Sequence, residues 1–248
     1  TSARPYVRDN SQKFADKIQK RTSSILESIK SDIAFNGHTI KIDHSQEAIL
    51  NFTESDDKAL IVYGQAGTGK SGYIKDAVES IKRIENSIVL VFSSTDFDVT
   101  DELSILTQFG DYQIEDLFSL YTSEDKKYCI IESVEKYTSF KNFEFLQKAI
   151  RKFIDNGWRL IFSIREQYLE GFCNVMLDNV ASDRFCVNSI NATVLAEFSE
   201  KYSFKLPSNT NVCNLICNLF YLKLYLNQYF SLLHLYQSYH SLKILIWS

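Results

Sequence analysis

Residues 59–71 read A-L-I-V-Y-G-Q-A-G-T-G-K-S, and the reading of this stretch decides the fold. Leu60, Ile61, Val62 and Tyr63 form an unbroken apolar run, the signature of a strand covered on both faces. Gly64 to Ser71 then matches G-x-x-x-x-G-K-[ST], the pattern of a phosphate-binding loop. In a chain of this length and composition the four fixed positions coincide by chance in roughly three sequences per thousand. Each residue type has a physical reason. Gly64, Gly67 and Gly69 allow the backbone to wind around an anion with successive N–H groups turned inward, and Gln65, Ala66 and Thr68 supply further amides. Lys70 reaches the outer phosphates, the Ser71 hydroxyl can hold Mg2+, and the helix that follows points its positive dipole end at the same place.

Ile74, Ala77, Val78, Ile81 and Ile84 recur at three- and four-residue spacing, so strand, loop and helix come in the order the pattern needs. Outward from this unit, Ser87–Phe92, Tyr128–Ile131 and Leu160–Ile164 are expected as buried strands, with a weaker one at Phe185–Val187. Helices are expected between them: one capped by Thr100 and running to Phe109, one over Ile114–Tyr121, and one carrying Phe143, Leu146, Ala149, Ile150, Phe153 and Ile154 on one side. The last ends at the left-handed stop Asn156-Gly157. Alternating strands and helices imply an α/β fold, a three-layer parallel-sheet P-loop NTPase core with ligands beyond the carboxyl ends of the strands.

The flanks differ in character. In residues 1–57, Phe14, Ile18, Ile25, Ile29 and Ile33 fit one face of a helix, His38–Asp43 alternates like a short strand, and Ser45 can cap a helix through Phe52. The core is expected over 58–192. From 193 to 248 the pattern is helical, with Leu195, Phe198 and Tyr202 on one face and a break at Pro207. The apolar stretch Val212–Leu235 is long enough to span a membrane, but Asn214, Asn218, Lys223, Asn227, Gln228 and His234 interrupt it, which favours two packed helices of a lid. No Asp or Glu follows Glu200, an unusual ending for an exposed helical surface.

Among 248 residues, 45% are hydrophobic and the net charge is −4, which excludes disorder and an overall basic field for nucleic acid or anionic membrane. The five cysteines lack C-x-x-C spacing and a reducing cytoplasm suits them, leaving the sequons at Asn51 and Asn191 unused. The polar opening resembles no secretory signal. With Met176 as its single methionine, the sequence is expected to be a piece of a longer protein.

A phosphate-binding loop needs an acidic partner for metal and water. In Ile130-Ile131-Glu132-Ser133-Val134-Glu135, Glu132 stands at the end of an apolar strand, placed for Mg2+, and Glu135 can orient the attacking water. The bland alternative is two solvated glutamates. Arg165, closing Phe162-Ser163-Ile164-Arg165, is placed either to sense the γ-phosphate or to pair with Glu132, Glu135 or Glu166.

Together G-Q-A-G-T-G-K-S, I-I-E-S-V-E and F-S-I-R-E resemble the Walker A, Walker B and sensor-1 elements of the signal-transduction ATPases with numerous domains (the STAND class), within the wider AAA+ and NACHT-like P-loop ATPases. R-P-Y-V-R-D and N-G-H-T-I-K-I-D resemble the segment before the core in large bacterial proteins of this class. N-L-F-Y-L-K-L-Y-L, Asn218–Leu226, is similar to the start of their lid, where a proline often stands at the place of Phe220. The resemblance covers about Arg4 to Leu226. It implies an ATP- and Mg2+-dependent regulatory switch, often in antiphage defence, which self-associates and relays a trigger from a sensor to an effector. Neither sensor nor effector lies in this sequence. It also implies that Arg184 either reaches a neighbouring subunit's γ-phosphate or is a surface residue paired with Asp183 or Asp178. Glu132 departs from the family's usual aspartate, and its extra methylene moves the carboxylate outward. The lack of N-K-x-D makes adenine the expected base. Rival readings are a DNA-handling AAA+ ATPase of the initiator or loader type and a non-catalytic nucleotide-binding module; the charge balance argues against nucleic acid as a partner.

Overall fold

The computed structural model describes residues 3–97, 106, 108–139 and 143–232. The helix expected from Thr100 to Phe109 and the end of the chain lie largely outside these residues. The described chain divides into two compact units. The first comprises the chain through Lys30, His44–Gln65 and Lys70–Val187. The second comprises Ser31–Asp43, Ala66–Gly69 and the chain from Asn188 onward.

The first unit is built on five parallel strands: β3 (Ala59–Gly64), β4 (Ser87–Ser93), β5 (Lys126–Glu132), β6 (Trp158–Arg165) and β7 (Ser182–Cys186), in the order β4-β5-β6-β3-β7. The motif strand β3 is hydrogen-bonded on both edges, to β6 and to β7. Its alternation divides the core. Ala59 and Ile61 join Leu90, Phe92, Cys129, Ile131, Leu160 and Phe162 on one face, under α4 (Ile114–Leu120), α5 (Phe143–Asp155) and α6 (Leu169–Met176). Leu60 and Val62 join Val89, Val91, Tyr128, Ile130 and Ile161 on the other, under α2 (Glu47–Glu54) and α3 (Lys70–Ile81). Continuous apolar runs are what a parallel sheet with both faces covered requires. The fifth strand is longer and earlier than Phe185–Val187, because pairing with β3 recruits Ser182, Asp183 and Arg184, polar residues that carry no strand signal of their own.

Helix α1 (Ala3–Ser28) lies along β4, one of the two edge strands of the sheet. Phe14 and Ile18 enter the first core layer, and Ile25 and Leu26 enter the second. Between them the buried Thr22 offers its hydroxyl oxygen to the Val91 N–H at 3.0 Å, so the helix satisfies the free side of the edge strand as well as covering it. Arg21 adds a bond to Asp96 at 2.6 Å. At the approach to β3, the Arg159 guanidinium lies 4.1 Å from the Phe52 ring and donates to the carbonyls of Phe52, Thr53 and Asp57, neutralising the carboxyl end of α2. Gln46 stands at the N-cap of that helix; the Ser45 hydroxyl accepts from Glu47 N at 3.4 Å.

The second unit has its own core. Ile33 ends in a strand rather than on the first helix: β1 (Ile33–Phe35) and β2 (His38–Ile40) form an antiparallel hairpin across Asn36-Gly37, whose φ values of 40° and 77° suit a tight two-residue turn. Its Ile33, Phe35 and Ile40 pack with Leu195, Ile216, Leu219, Leu222 and Leu226 from α7 (Ala192–Tyr202), α8 (Thr210–Ile216) and α9 (residues 219–232), and with Phe204 from the connection after α7. The apolar stretch from Val212 is thus two helices. Among the described residues no helix is long and apolar enough to cross a membrane.

Replacing Thr22 by Val keeps the shape but strands the Val91 N–H in a buried position. Thr22→Val is expected to lower stability by about 1–3 kcal/mol in urea unfolding, with Thr22→Ser much milder. A loss below about 0.5 kcal/mol for Thr22→Val would show that the edge amide has another partner.

Candidate functional site

The phosphate-loop residues sit at the carboxyl end of β3. Gly67 and Gly69 adopt φ of 82° and 101°, backbone that side chains at those positions would strain. Lys70 opens α3, and its ammonium turns back to donate to the carbonyls of Gly64 at 2.9 Å and Gln65 at 2.7 Å. Burial lowers the Lys70 pKa from its ordinary value, with the nearby Glu135 carboxylate opposing and the Arg165 guanidinium adding to the shift. Lys70, Glu135 and Arg165, named from three separate stretches of sequence, are therefore within electrostatic reach of one another. Ser71 is half-buried in the first turn of α3, and Thr68 is buried.

Strand register places the remaining candidates. Gly64 pairs with Arg165, and Val62 with Ser163, while Ile131 pairs with Phe162. Glu132 is the last residue of β5 and half-buried at the same end of the sheet. Glu135 lies in a short 3-10 helix over Val134–Ser139, with its side chain only 10% exposed. Its Oε1 meets Arg165 Nε at 3.2 Å. Of the carboxylates expected as partners of Arg165, Glu135 is the one it meets. Arg165 is itself half-exposed, so the pair alone contributes little to stability.

Between the glutamates, Ser133 takes a left-handed φ of 57°. Two buried serines from flanking elements hold it: Ser133 N donates to Ser163 Oγ at 2.8 Å, and Ser94 Oγ donates to Ser133 O at 2.9 Å. Ser93-Ser94-Thr95-Asp96 reads in sequence only as a polar loop. Its position after an apolar strand was the available signal. Asp96 closes the same turn by accepting from Ser93 N at 2.9 Å.

Arg184 lies inside β7, level with Ile61 in the middle of β3, rather than ahead of the strand. Its guanidinium donates to Glu170 at 2.7 Å, not to Asp183 or Asp178; Asp183 instead accepts from the Arg184 backbone N–H.

Mg2+ would find oxygen ligands of the right hardness in Ser71 and Glu132, completed by phosphate and water, as suits an ion that keeps much of its hydration. No group of three His, Cys, Asp or Glu among the described residues forms an all-protein metal site. An open polar cleft at the amino end of the sheet, lined by Glu115, Phe118, Lys127, Lys152 and Asn156, is at the opposite end and is crossed by the Lys152–Glu115 pair at 2.8 Å.

The Orc1 protein of Aeropyrum pernix, solved in complex with DNA, superposes with a TM-score of 0.50 at 10% identity, over 80% of this chain and 58% of that one. The chain has the α/β parallel-sheet fold of the AAA+ P-loop ATPases. AMPPCP-bound DnaA of Aquifex aeolicus (TM-score 0.47, 16% identity, 69% of this chain and 53% of that one) and a Walker-type ATPase of Pyrococcus abyssi (0.47, 10%, 77% and 66%) are also similar. At such identities the likeness concerns the fold, and this chain spans half to two thirds of each. No protein-family model matches the chain, and no curated protein matches it.

Ser163→Ala removes the acceptor for the Ser133 N–H in the turn between the two glutamates. Stability should fall by about 1 kcal/mol in urea unfolding, and hydrogen exchange at the Ser133 amide should accelerate. Wild-type exchange there would show that Ser163 does not hold the turn.

Proposed function

We propose that this chain is an ATP-binding and ATP-hydrolysing regulatory switch, the nucleotide-dependent module of a larger signalling protein. The observation that carries the proposal is the Lys70 ammonium bonded to the Gly64 and Gln65 carbonyls, with Glu135 and Arg165 acting on it. Phosphate oxygens are better acceptors than the two carbonyls, so a bound nucleotide would draw Lys70 onto its outer phosphates. In this reading the amides of Gly64 to Ser71 bind phosphate, and Ser71 with Glu132 holds Mg2+. Glu135 aligns the attacking water and accepts its proton, and Arg165 leaves Glu135 for the γ-phosphate. The pairing of Arg165 with Glu135 then marks a resting arrangement that substrate relieves.

The module organisation expected from the sequence (1–57 before the core, 58–192 as core, 193–248 as lid), cytoplasmic location, self-association and a role in antiphage defence belong to the same proposal. They rest on the resemblance of the three motifs to the STAND class. A trans-acting Arg184 would have to exchange Glu170 for a neighbour's phosphate. In that case turnover per subunit rises with protein concentration in the full-length protein, and Arg184→Ala removes the rise.

The second reading is DNA handling, favoured by the likeness to an Orc1 protein that was solved on DNA. Anisotropy titration of labelled duplex DNA, with and without ATP, separates the two: ATP-dependent binding of DNA supports the second reading, and its lack supports the first.

Lys70→Ala is the primary test. Losing two charge-assisted contacts should weaken ATP binding by about a hundredfold or more in calorimetry, with the unfolding transition retained. Equal affinity would remove the assignment. Glu135→Gln should keep ATP and Mg2+ binding but slow hydrolysis, while Glu132→Ala should weaken the Mg2+-dependent part of binding; identical behaviour would refute their separate roles.

The pH dependence has a definite sign. Burial depresses the Lys70 pKa in the free protein, and phosphate would raise it again, so binding takes up a proton above the free-state value. Affinity for ATP should be greatest below the depressed free-state value and fall as pH rises through it toward 10.5, the ordinary lysine value. Lys70→Arg, always charged, should flatten that fall; an equally steep fall in Lys70→Arg would assign it to another group.

A further inference from the structure

Asn218 stands at the head of α9, in the second unit, which also contains Ala66–Gly69 of the phosphate loop. It is one of few buried polar side chains, 9% exposed. Its two amide atoms do different work. Oδ1 accepts from the Phe220 backbone N–H at 3.1 Å, the bond of a helix N-cap. Nδ2 donates to the Ala66 carbonyl at 2.7 Å. A cap needs the oxygen alone; serine or aspartate would serve as well. The nitrogen is free to do something else, and it holds the loop.

The consequence follows from peptide geometry. The Ala66 carbonyl and the Gly67 N–H belong to one planar trans unit and point in opposite directions. Anchoring the carbonyl on Asn218 therefore turns the Gly67 N–H the other way. Gly67 also has φ of 82°, and a Cβ built there would overlap Asn218 Oδ1 and lie 2.7 Å from Phe220 Cβ. Asn218 and Phe220 thus pack directly against the bare Cα of Gly67. A glycine-rich loop is the segment with most conformational freedom to lose on binding an anion, and this contact removes part of it beforehand.

We propose that Asn218 is a positioning residue for phosphate binding: it fixes the Ala66–Gly67 peptide so that the Gly67 N–H is presented to the anion before nucleotide arrives. This rests on the reading of residues 64–71 as the nucleotide site. Asn218 acts through the loop and touches no phosphate.

The two bonds of Asn218 make the test selective. Asn218→Ser retains an oxygen for the cap and loses the donor to Ala66 without changing charge. In nucleotide-free protein, hydrogen exchange at the 66–69 amides should accelerate, while the α9 amides keep wild-type protection. ATP affinity by calorimetry should drop about three- to tenfold, the worth of one neutral hydrogen bond, with kcat changed less than KM. Asn218→Ala, which loses cap and tether together, should in addition deprotect the first turn of α9. Unchanged exchange at 66–69, or ATP affinity in Asn218→Ser equal to or tighter than wild type, overturns the positioning role. Run beside Lys70→Ala, the experiment separates two failures. ATP binding that Lys70→Ala abolishes and Asn218→Ser leaves intact refutes Asn218 alone. Wild-type protein that binds no ATP refutes the nucleotide site, and the role of Asn218 with it.

Discussion

Strand β3 has no free edge and no free face, and the site follows from that constraint. Its N–H and C=O groups are spent on β6 and β7, and its side chains are divided between two core layers. A strand so confined cannot shift register without driving apolar side chains out of both layers. The residue at its carboxyl end is therefore held firmly, and Gly64 launches the loop from a fixed point. The same pairing puts Arg165 level with Gly64. Parallel strands bring their carboxyl ends to one side of the sheet, so residues one hundred positions apart in sequence arrive together.

The outer strand raises the opposite problem. Among the described residues one side of β4 has no strand partner, and free backbone groups there would invite pairing with another chain. Helix α1 crosses that edge with apolar residues above and below and a hydroxyl between them. Helix α1 is thus packed into the core of the first unit. Where β4 and β5 end, the chain bonds its own turns: Asp96 closes the turn after β4, and Ser94 and Ser163 clamp Ser133. A left-handed serine costs about 1 kcal/mol or more, and the two hydrogen bonds from buried serines offset it. The outcome is a rigid turn with Glu132 on one side and Glu135 on the other.

Charge at the site is balanced inside the protein. Lys70 is desolvated enough to lower its pKa, yet it has two carbonyl acceptors and the field of Glu135. Glu135 is nearly buried and has Arg165. Phosphate oxygens are stronger acceptors for an ammonium than the two backbone carbonyls that Lys70 meets, and in the function proposed above that difference draws Lys70 onto nucleotide.

The glycine-rich turn after β3, the four longer strands and the α/β class were legible because their signals are local: a fixed motif, unbroken apolar runs and a 3.6-residue period. Glu132, Glu135 and Arg165 could be named for the same reason, each ending such a run or following it closely. The Asn36-Gly37 turn was equally local, and the hairpin around it could have been found in place of a helix extended to Ile33. Other features had no local signal. Ser182–Cys186 is a strand because β3 offers a hydrogen-bonding edge, not because its residues prefer one. Arg184 meets Glu170 only because α6 packs beside β7, and Thr22 meets Val91 only across the edge of a folded sheet. Asn218 looked like an interruption in an apolar stretch, and its bond to Ala66 spans 152 positions. Hydrophobic period and glycine placement act within a few residues, so the sequence by itself determines the elements and the motif. Hydrogen-bond partners are chosen by distance in space, so which polar side chain holds which turn was decided only when the sheet and the helices had closed.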